Sequence, residues 1–385
     1  MRTASDSQSA RHGATCAVLR EPGGPFLLEH VDLAGPRPDE VLVEIVASGM
    51  CHTDLLVRDS RPECLPAVVG HEGAGIVRET GSEVHGIAPG DSVVLSFPSC
   101  GACSRCLTGR SAYCDHIAAL KFGCHRPDGS VATTDAHGRP VGDHFFGQSS
   151  FGTLAVASAR SVVKVPDDVD LRIAGPLACG VQTGVGTILD VLRVGPGSAV
   201  AIFGAGSVGL CGVMAARLSG ATTIIAVNRR ASRLRWAGEF GATHLVSPTE
   251  VDPVEAIKDA TSGRGVQFAF ETTGDATVFS MAVRSLDSLG TCAYVGTARP
   301  GTSGGLPLLE AMTKGLTVRG VLQGDSTPSR SIPRLLELHR RGLLPFDRLI
   351  THYRLDEINK AAADCLGGEV VKPIILMDDV RDGGS

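Results

Sequence analysis

The chain has little of what several protein classes require. Its 385 residues include one Trp, three Tyr and twelve Phe, and its Lys and Arg are scattered rather than gathered into runs. With a net charge of −5, it offers no general attraction to nucleic acid, and no such partner is expected. No apolar stretch approaches the ~20 residues that cross a bilayer, so no membrane association is expected. The opening M-R-T-A-S-D-S-Q-S-A-R-H has no hydrophobic core and does not read as a secretory signal. Residues 1–15 are expected to form a disordered tail, and the protein to be cytoplasmic. In that setting its twelve cysteines stay reduced, which argues against a disulfide framework and makes metal binding the first reading. Glycine, by contrast, is abundant: 48 residues spread along the chain point to tight turns and close backbone approaches, not low complexity.

The first half holds short apolar runs broken by Gly and Pro: V-L-V-E-I-V-A (41–47), G-A-G-I-V (73–77) and D-S-V-V-L (91–95). These read as strands joined by turns. From about residue 185, β-branched runs at 199–203, 223–227, 244–246, 268–271, 292–296 and 317–321 alternate with helical stretches. That alternation predicts a doubly wound parallel sheet. A helix at 332–341 and a closing strand at 373–377 follow, and this last segment is expected to return to the first domain.

After the run A-V-A-I-F comes Gly204-Ala205-Gly206-Ser207-Val208-Gly209 and then an apolar-periodic stretch. Between a strand and a helix, G-x-G-x-x-G is a dinucleotide fingerprint. Gly204 allows the turn, Gly206 admits a pyrophosphate, and Gly209 lets helix and strand pack, while the helix N-terminus supplies N–H groups to phosphate. The alternative is a turn without a ligand. About twenty residues on, where an acid would hold the adenosine ribose, stands Asn228, followed by Arg229 and Arg230. An amide does not repel a 2′-phosphate and an arginine can pair with it, so NADP is favoured, with NAD the alternative. Under NAD, the arginines face solvent and Asn228 serves the ribose.

Residues 100–114 read C-G-A-C-S-R-C-L-T-G-R-S-A-Y-C. Cys100, Cys103, Cys106 and Cys114 can close around one Zn²⁺ as four thiolates, leaving no open position, so the site is structural. An iron–sulfur cluster is the rival reading, but the spacing fits neither common ferredoxin pattern. Cys51, His71 and Cys179 each read, singly, as a buried cysteine or a satisfied histidine. As a set they give a three-ligand zinc with an open position, which catalysis requires.

With G-H-E-x-x-G, the four-cysteine lobe, the cysteine before a T-G helix start and the coenzyme fingerprint in this order, the chain resembles the zinc-dependent medium-chain alcohol dehydrogenases. The resemblance runs from about residue 16 to 378. It implies an α/β fold: a GroES-like β-rich catalytic domain (16–184) with a structural zinc lobe at about 97–116, a Rossmann doubly wound parallel sheet (185–323), and a return to the catalytic domain (324–385). It implies two Zn²⁺ per chain, one of them catalytic on Cys51, His71 and Cys179, with Asp54 orienting His71 and Glu72 behind the metal. Thr53 takes the proton of a small-molecule alcohol. His52 and Lys372 fall at basic contacts to the coenzyme pyrophosphate, and Val208, Arg233 and Val295 join the coenzyme contacts. The long segment between Cys114 and Cys179 resembles the dimeric members, implying a homodimer.

Some positions depart from the family pattern. Leu56 stands where several members carry a histidine that passes the proton outward, so the outer relay is left blank. The stretch F-F-G-Q-S-S-F (145–151) resembles members acting on benzylic or allylic alcohols; Phe145, Phe146 and Phe97 line the pocket or belong to the core. The histidines of the 115–150 loop are expected to be mostly solvated. The resulting expectation is an alcohol dehydrogenase or aldehyde reductase for primary aromatic or allylic substrates. A thiol-adduct (formaldehyde-type) dehydrogenase and a non-catalytic binding protein on the same fold are the alternatives.

Overall fold

A computed structural model describes residues 11–299 and 301–377. They divide into two units, residues up to Cys179 with those from Ile350 onward, and Gly180–Leu349.

The first unit is built from two sheets that are antiparallel except where Ile350–Arg354 runs parallel to Lys372–Leu376. Five strands run in the order Ala67–Val68, Arg11–Leu19, Phe26–Ala34, Thr133–Asp135, Pro140–Val141. A second sheet centres on Glu40–Gly49, whose V-L-V core is buried on both faces. One edge of that strand pairs with Gly73–Thr80 and then Ser92–Leu95; it also pairs with Leu154–Ser158 and Lys372–Leu376. β-branched residues fit such a doubly covered pleat. The closing strand pairs Ile374 with Gly49, so Lys372 arrives beside the end of the central strand.

The second unit is a six-stranded parallel sheet, ordered His244–Val246, Thr223–Val227, Ala199–Phe203, Val266–Glu271, Leu286–Tyr294, Thr317–Gly320. Numbered along the chain this is 3-2-1-4-5-6, the Rossmann order. Its switch point lies between Ala199–Phe203 and Val266–Glu271, where a ligand sits beyond the carboxyl ends of the strands.

Three expected boundaries move. Residues 11–15 are not tail: Arg11–Leu19 is a full strand, paired from Arg11 against Ala34. The rest of the tail expectation, residues 1–10, lies outside the described residues. The coenzyme unit runs to Leu349 rather than 323, because the helix Pro328–Arg340 stays with it. That helix buries Ile332, Leu335 and Leu336, and Ser331 Oγ donates to Gln182 Oε1 at 3.0 Å. The start of the coenzyme unit moves also, from Val185 to Gly180. Among the described residues no helix is long and apolar enough to cross a membrane.

Candidate active site and metal centres

Cys51, His71, Glu72 and Cys179 come together with one ligand atom of each within 4.8 Å of the others. Cys51 is the N-cap of the helix His52–Ser60, His71 and Glu72 lie just before the strand Gly73–Thr80, and Cys179 follows the turn Gly175–Ala178. Asp54 is fully buried and accepts twice, from the Cys51 N–H at 2.8 Å and through its other oxygen from His71 Nδ1 at 2.7 Å. With Nδ1–H committed, Nε2 carries the imidazole lone pair, and that buried atom has no hydrogen-bond partner among the described residues. A metal ion is the partner this donor set fits, since ligating histidines characteristically give their other N–H to a carboxylate. The Cys179 thiol as hydrogen-bond partner, helped by His71 and Lys372, holds Cys51 well below the ordinary thiol range, toward the thiolate that metals require. Thr53 Oγ1 lies 3.8 Å from Cys51 Sγ, beside the ligands. His52 is exposed on the same turn, and Leu56 is half-buried.

Lys372 is not where the resemblance put it. Its Nζ is buried, donating to both Glu72 oxygens at 2.9 Å and to the Met50 carbonyl at 3.2 Å. All three N–H bonds are thereby used, and nothing is left over for a pyrophosphate. Lys372 instead neutralises Glu72, whose own burial would otherwise be costly. Close packing enforces this: a Cβ at Gly49 would strike the Glu72 carboxylate, and one at Gly175 the Glu72 carbonyl.

Cys100, Cys103, Cys106 and Cys114 form a second cluster, also within 4.8 Å. Backbone N–H groups of Ala102 and Cys103 donate to Cys100 Sγ at 3.5 and 3.3 Å, and that of Cys100 donates to Cys114 Sγ at 3.3 Å. None of the twelve cysteines is in a disulfide. Four converging sulphurs with N–H bonds to them suit a closed tetrahedral site.

In the coenzyme unit, Gly204 follows the strand Ala199–Phe203 at φ +96°, a conformation that favours glycine. A Cβ at Gly209 would run into the Gly204 carbonyl oxygen, whereas Gly206, the exposed N-cap of Ser207–Leu218, has open space around it. Val208 is half-buried in the first turn. Asn228 follows the next strand, its N–H on the Val246 carbonyl at 3.1 Å; Arg229 is exposed, whereas Arg233 is buried in the helix Ala231–Phe240. Val295 N–H donates to the Glu271 carbonyl at 2.9 Å. Glu271 itself escaped notice in the sequence. It is buried at the switch point and accepts from Thr273 N and Oγ1, both at 2.5 Å, and from Gly274 N at 3.1 Å. Its signal was an acid closing an apolar run, F-A-F-E, just before T-T-G.

The phenylalanines sit at the first metal cluster and are buried there. The Phe146 ring stacks on the His71 imidazole at 4.3 Å, and Phe145 meets it edge-on at 5.7 Å. Gln148, also missed, ties this turn down: its oxygen accepts from Gly73 N at 3.0 Å, and its amide donates to the His71 carbonyl at 3.0 Å. Lys121 on the helix Ile117–Phe122 is the third omission. It is 2% exposed, with Nζ 5.2 Å from the Phe97 ring centre and 5.1 Å from that of Phe146. Burial pushes its ammonium down to about 8.

Of the 115–150 histidines, His116, His125 and His137 are exposed as expected. His144 is buried, with Nδ1 on Asp143 at 2.5 Å and Nε2 on Glu40 at 3.2 Å. Arg126 donates to both Glu40 oxygens at 2.7 and 2.8 Å, completing a buried network that anchors the loop.

Two family models match: alcohol dehydrogenase GroES-like domain over residues 37–167, and zinc-binding dehydrogenase over residues 207–340. A geraniol dehydrogenase of Castellaniella defragrans is 45% identical over 365 residues, 94% of this chain and 97% of that one. The crystal structure of an alcohol dehydrogenase zinc-binding domain protein from Burkholderia ambifaria has a TM-score of 0.94 at 48% identity, covering 96% of this chain and 100% of its own. That of benzyl alcohol dehydrogenase from Acinetobacter calcoaceticus has 0.92 at 42% identity, covering 95% and 99%. The chain belongs to the zinc-dependent medium-chain alcohol dehydrogenases. It is an oxidoreductase of alcohols, and the family works with zinc and a nicotinamide cofactor.

Proposed function

We propose that the protein interconverts primary aromatic or allylic alcohols and their aldehydes, with NADP preferred to NAD and two zinc ions per chain. The observation that carries this reading is the convergence of Cys51, Cys179 and the uncommitted Nε2 of His71 beside two phenylalanine rings. The named relatives, a geraniol and a benzyl alcohol dehydrogenase, agree with it. Zinc, held there, would supply a Lewis acid that lowers an alcohol's pKa, and a bound nicotinamide would supply the hydride acceptor.

The remaining work falls to side chains. Cys51, His71 and Cys179 hold the metal, and Asp54 fixes the His71 tautomer. Thr53 Oγ1 receives the alcohol proton, and Leu56, in place of a histidine, takes no part in passing it outward. Glu72, neutralised by Lys372, backs the cluster. Cys100, Cys103, Cys106 and Cys114 hold the structural ion. Gly204, Gly206, Val208 and Gly209 cradle the pyrophosphate at a helix N-terminus, with His52 as its basic partner. Asn228 and Arg229 recognise the 2′-phosphate end, with Arg233 and Val295 completing the coenzyme contacts. Leu308, Leu309 and Met312, exposed on the helix Leu308–Lys314 that precedes the edge strand Thr317–Gly320, support a homodimer, and twelve cysteines outside any disulfide suit the cytoplasm.

The test is steady-state turnover of benzyl and cinnamyl alcohol with NAD and with NADP. Turnover with both alcohols, faster with NADP, is expected. No turnover of either would overturn the substrate reading, and faster turnover with NAD the coenzyme reading.

A further inference from the structure

Two buried lysines lie near the first metal cluster, and their surroundings differ. Lys372 has every N–H bonded, to Glu72 and to the Met50 carbonyl. Lys121 is buried to the same degree, yet its Nζ has no hydrogen-bond partner among the described residues. It rests instead against the faces of Phe97 and Phe146. Two ring faces offset only part of the cost of desolvating an ammonium, and they satisfy none of its N–H donors. An aliphatic side chain would fill this aromatic wall without that cost. The cation is therefore better explained by what it meets than by packing. Phe146, which it touches, is stacked on the metal-ligand candidate His71. The unused donors thus lie one aromatic ring away from the His71 imidazole.

We propose that Lys121 is a ligand-recognition residue, whose ammonium, set between Phe97 and Phe146, binds an anionic oxygen of an aromatic ligand. The class of ligand is the aryl carboxylate: its ring lies among the phenylalanines and its oxygen takes the charge-assisted bond. Aryl carboxylates are then ligands of this site, and aryl alcohols bearing a carboxylate are favoured over unsubstituted ones.

The proposal rests on the alcohol site described above; wild-type turnover of benzyl alcohol, which has no anionic oxygen, tests that reading by itself. Lys121 is tested by calorimetric titration of the zinc-loaded protein at pH 7 with benzoate and with neutral, nearly isosteric benzamide. Wild type is expected to bind benzoate at least about tenfold more tightly than Lys121→Met, with benzamide affinity little changed. Lys121→Gln, which keeps a hydrogen-bond donor without the charge, carries the same expectation should the Met variant not fold; melting temperature and zinc content establish which variants are intact. Equal benzoate affinity in wild type and an intact variant overturns the proposal. So does an equal loss for benzoate and benzamide, which would make Lys121 a packing residue.

Discussion

Asp54 holds two of the metal-ligand candidates with one carboxylate: Oδ2 accepts the Cys51 N–H at 2.8 Å and Oδ1 meets His71 Nδ1 at 2.7 Å. The Cys51 backbone and the His71 ring are thereby set relative to each other, although the two residues come from different elements. Asp54→Asn keeps the shape but presents an amide where the histidine must donate. Zinc affinity at this site should fall about 10–100-fold. Competition with a chelator measures it, and the ion at the four-cysteine lobe should be unaffected.

The two metal sites should separate on mutation. Wild type is expected to hold two zinc ions per chain. Cys179→Ser should retain one, keep its melting temperature within a few degrees and lose turnover. Cys114→Ser should also drop to one but melt markedly lower, since a closed structural site contributes folding energy. Metal analysis beside thermal melting distinguishes the two. A wild-type content of one per chain would remove the catalytic assignment.

Coenzyme choice should turn on Asn228, which follows the strand Thr223–Val227. Asn228→Asp places a carboxylate where a 2′-phosphate would lie. The ratio of kcat/KM for NADP over NAD should fall by about tenfold or more. An unchanged ratio would make Asn228 and Arg229 bystanders.

The pair Glu72 and Lys372 should behave as a buried unit. Lys372→Met leaves the carboxylate uncompensated and is expected to cost about 3–5 kcal/mol, whereas Glu72→Gln with Lys372→Met should recover most of it. Urea denaturation of the single and double variants reads the difference. A double variant as unstable as the single would mean that the lysine acts by packing.

His144 gives stability a slope with pH. Burial opposes its charged form, but Asp143 and Glu40 raise its pKa from 6.5 to about 9. The imidazolium form is thus favoured in the folded state. Its contribution, on the order of 3 kcal/mol, is fully present below pH 6.5 and lost as pH rises through about 9. Wild type should therefore lose its margin over His144→Asn across that window. Asn suits the left-handed backbone at this position, φ +58°. Parallel melting curves from pH 6 to 9.5 would contradict the assignment.

What the sequence determined by itself was local or periodic. The cysteine spacing at 100–114 delimits a loop that can wrap one ion, and the G-A-G-S-V-G turn sits where a β-branched run meets a helical period. Each is legible because the interacting groups are neighbours in the chain. The strands at 199–203, 223–227 and 244–246 were likewise written in apolar runs, and the sheet has them with those bounds. Tertiary structure alone decided the rest. Lys372 reaches Glu72 across 300 positions because the closing strand pairs Ile374 with Gly49. Arg126 finds Glu40 across 86 positions, and Gln148 the His71 loop across 77. Lys121 meets Phe97 and Phe146 by the same route. Such pairings depend on strand register and on which face a short helix presents. No spacing rule encodes either, so a lysine expected to reach for phosphate neutralises a carboxylate, and one with no expected role rests on a ring stacked against His71.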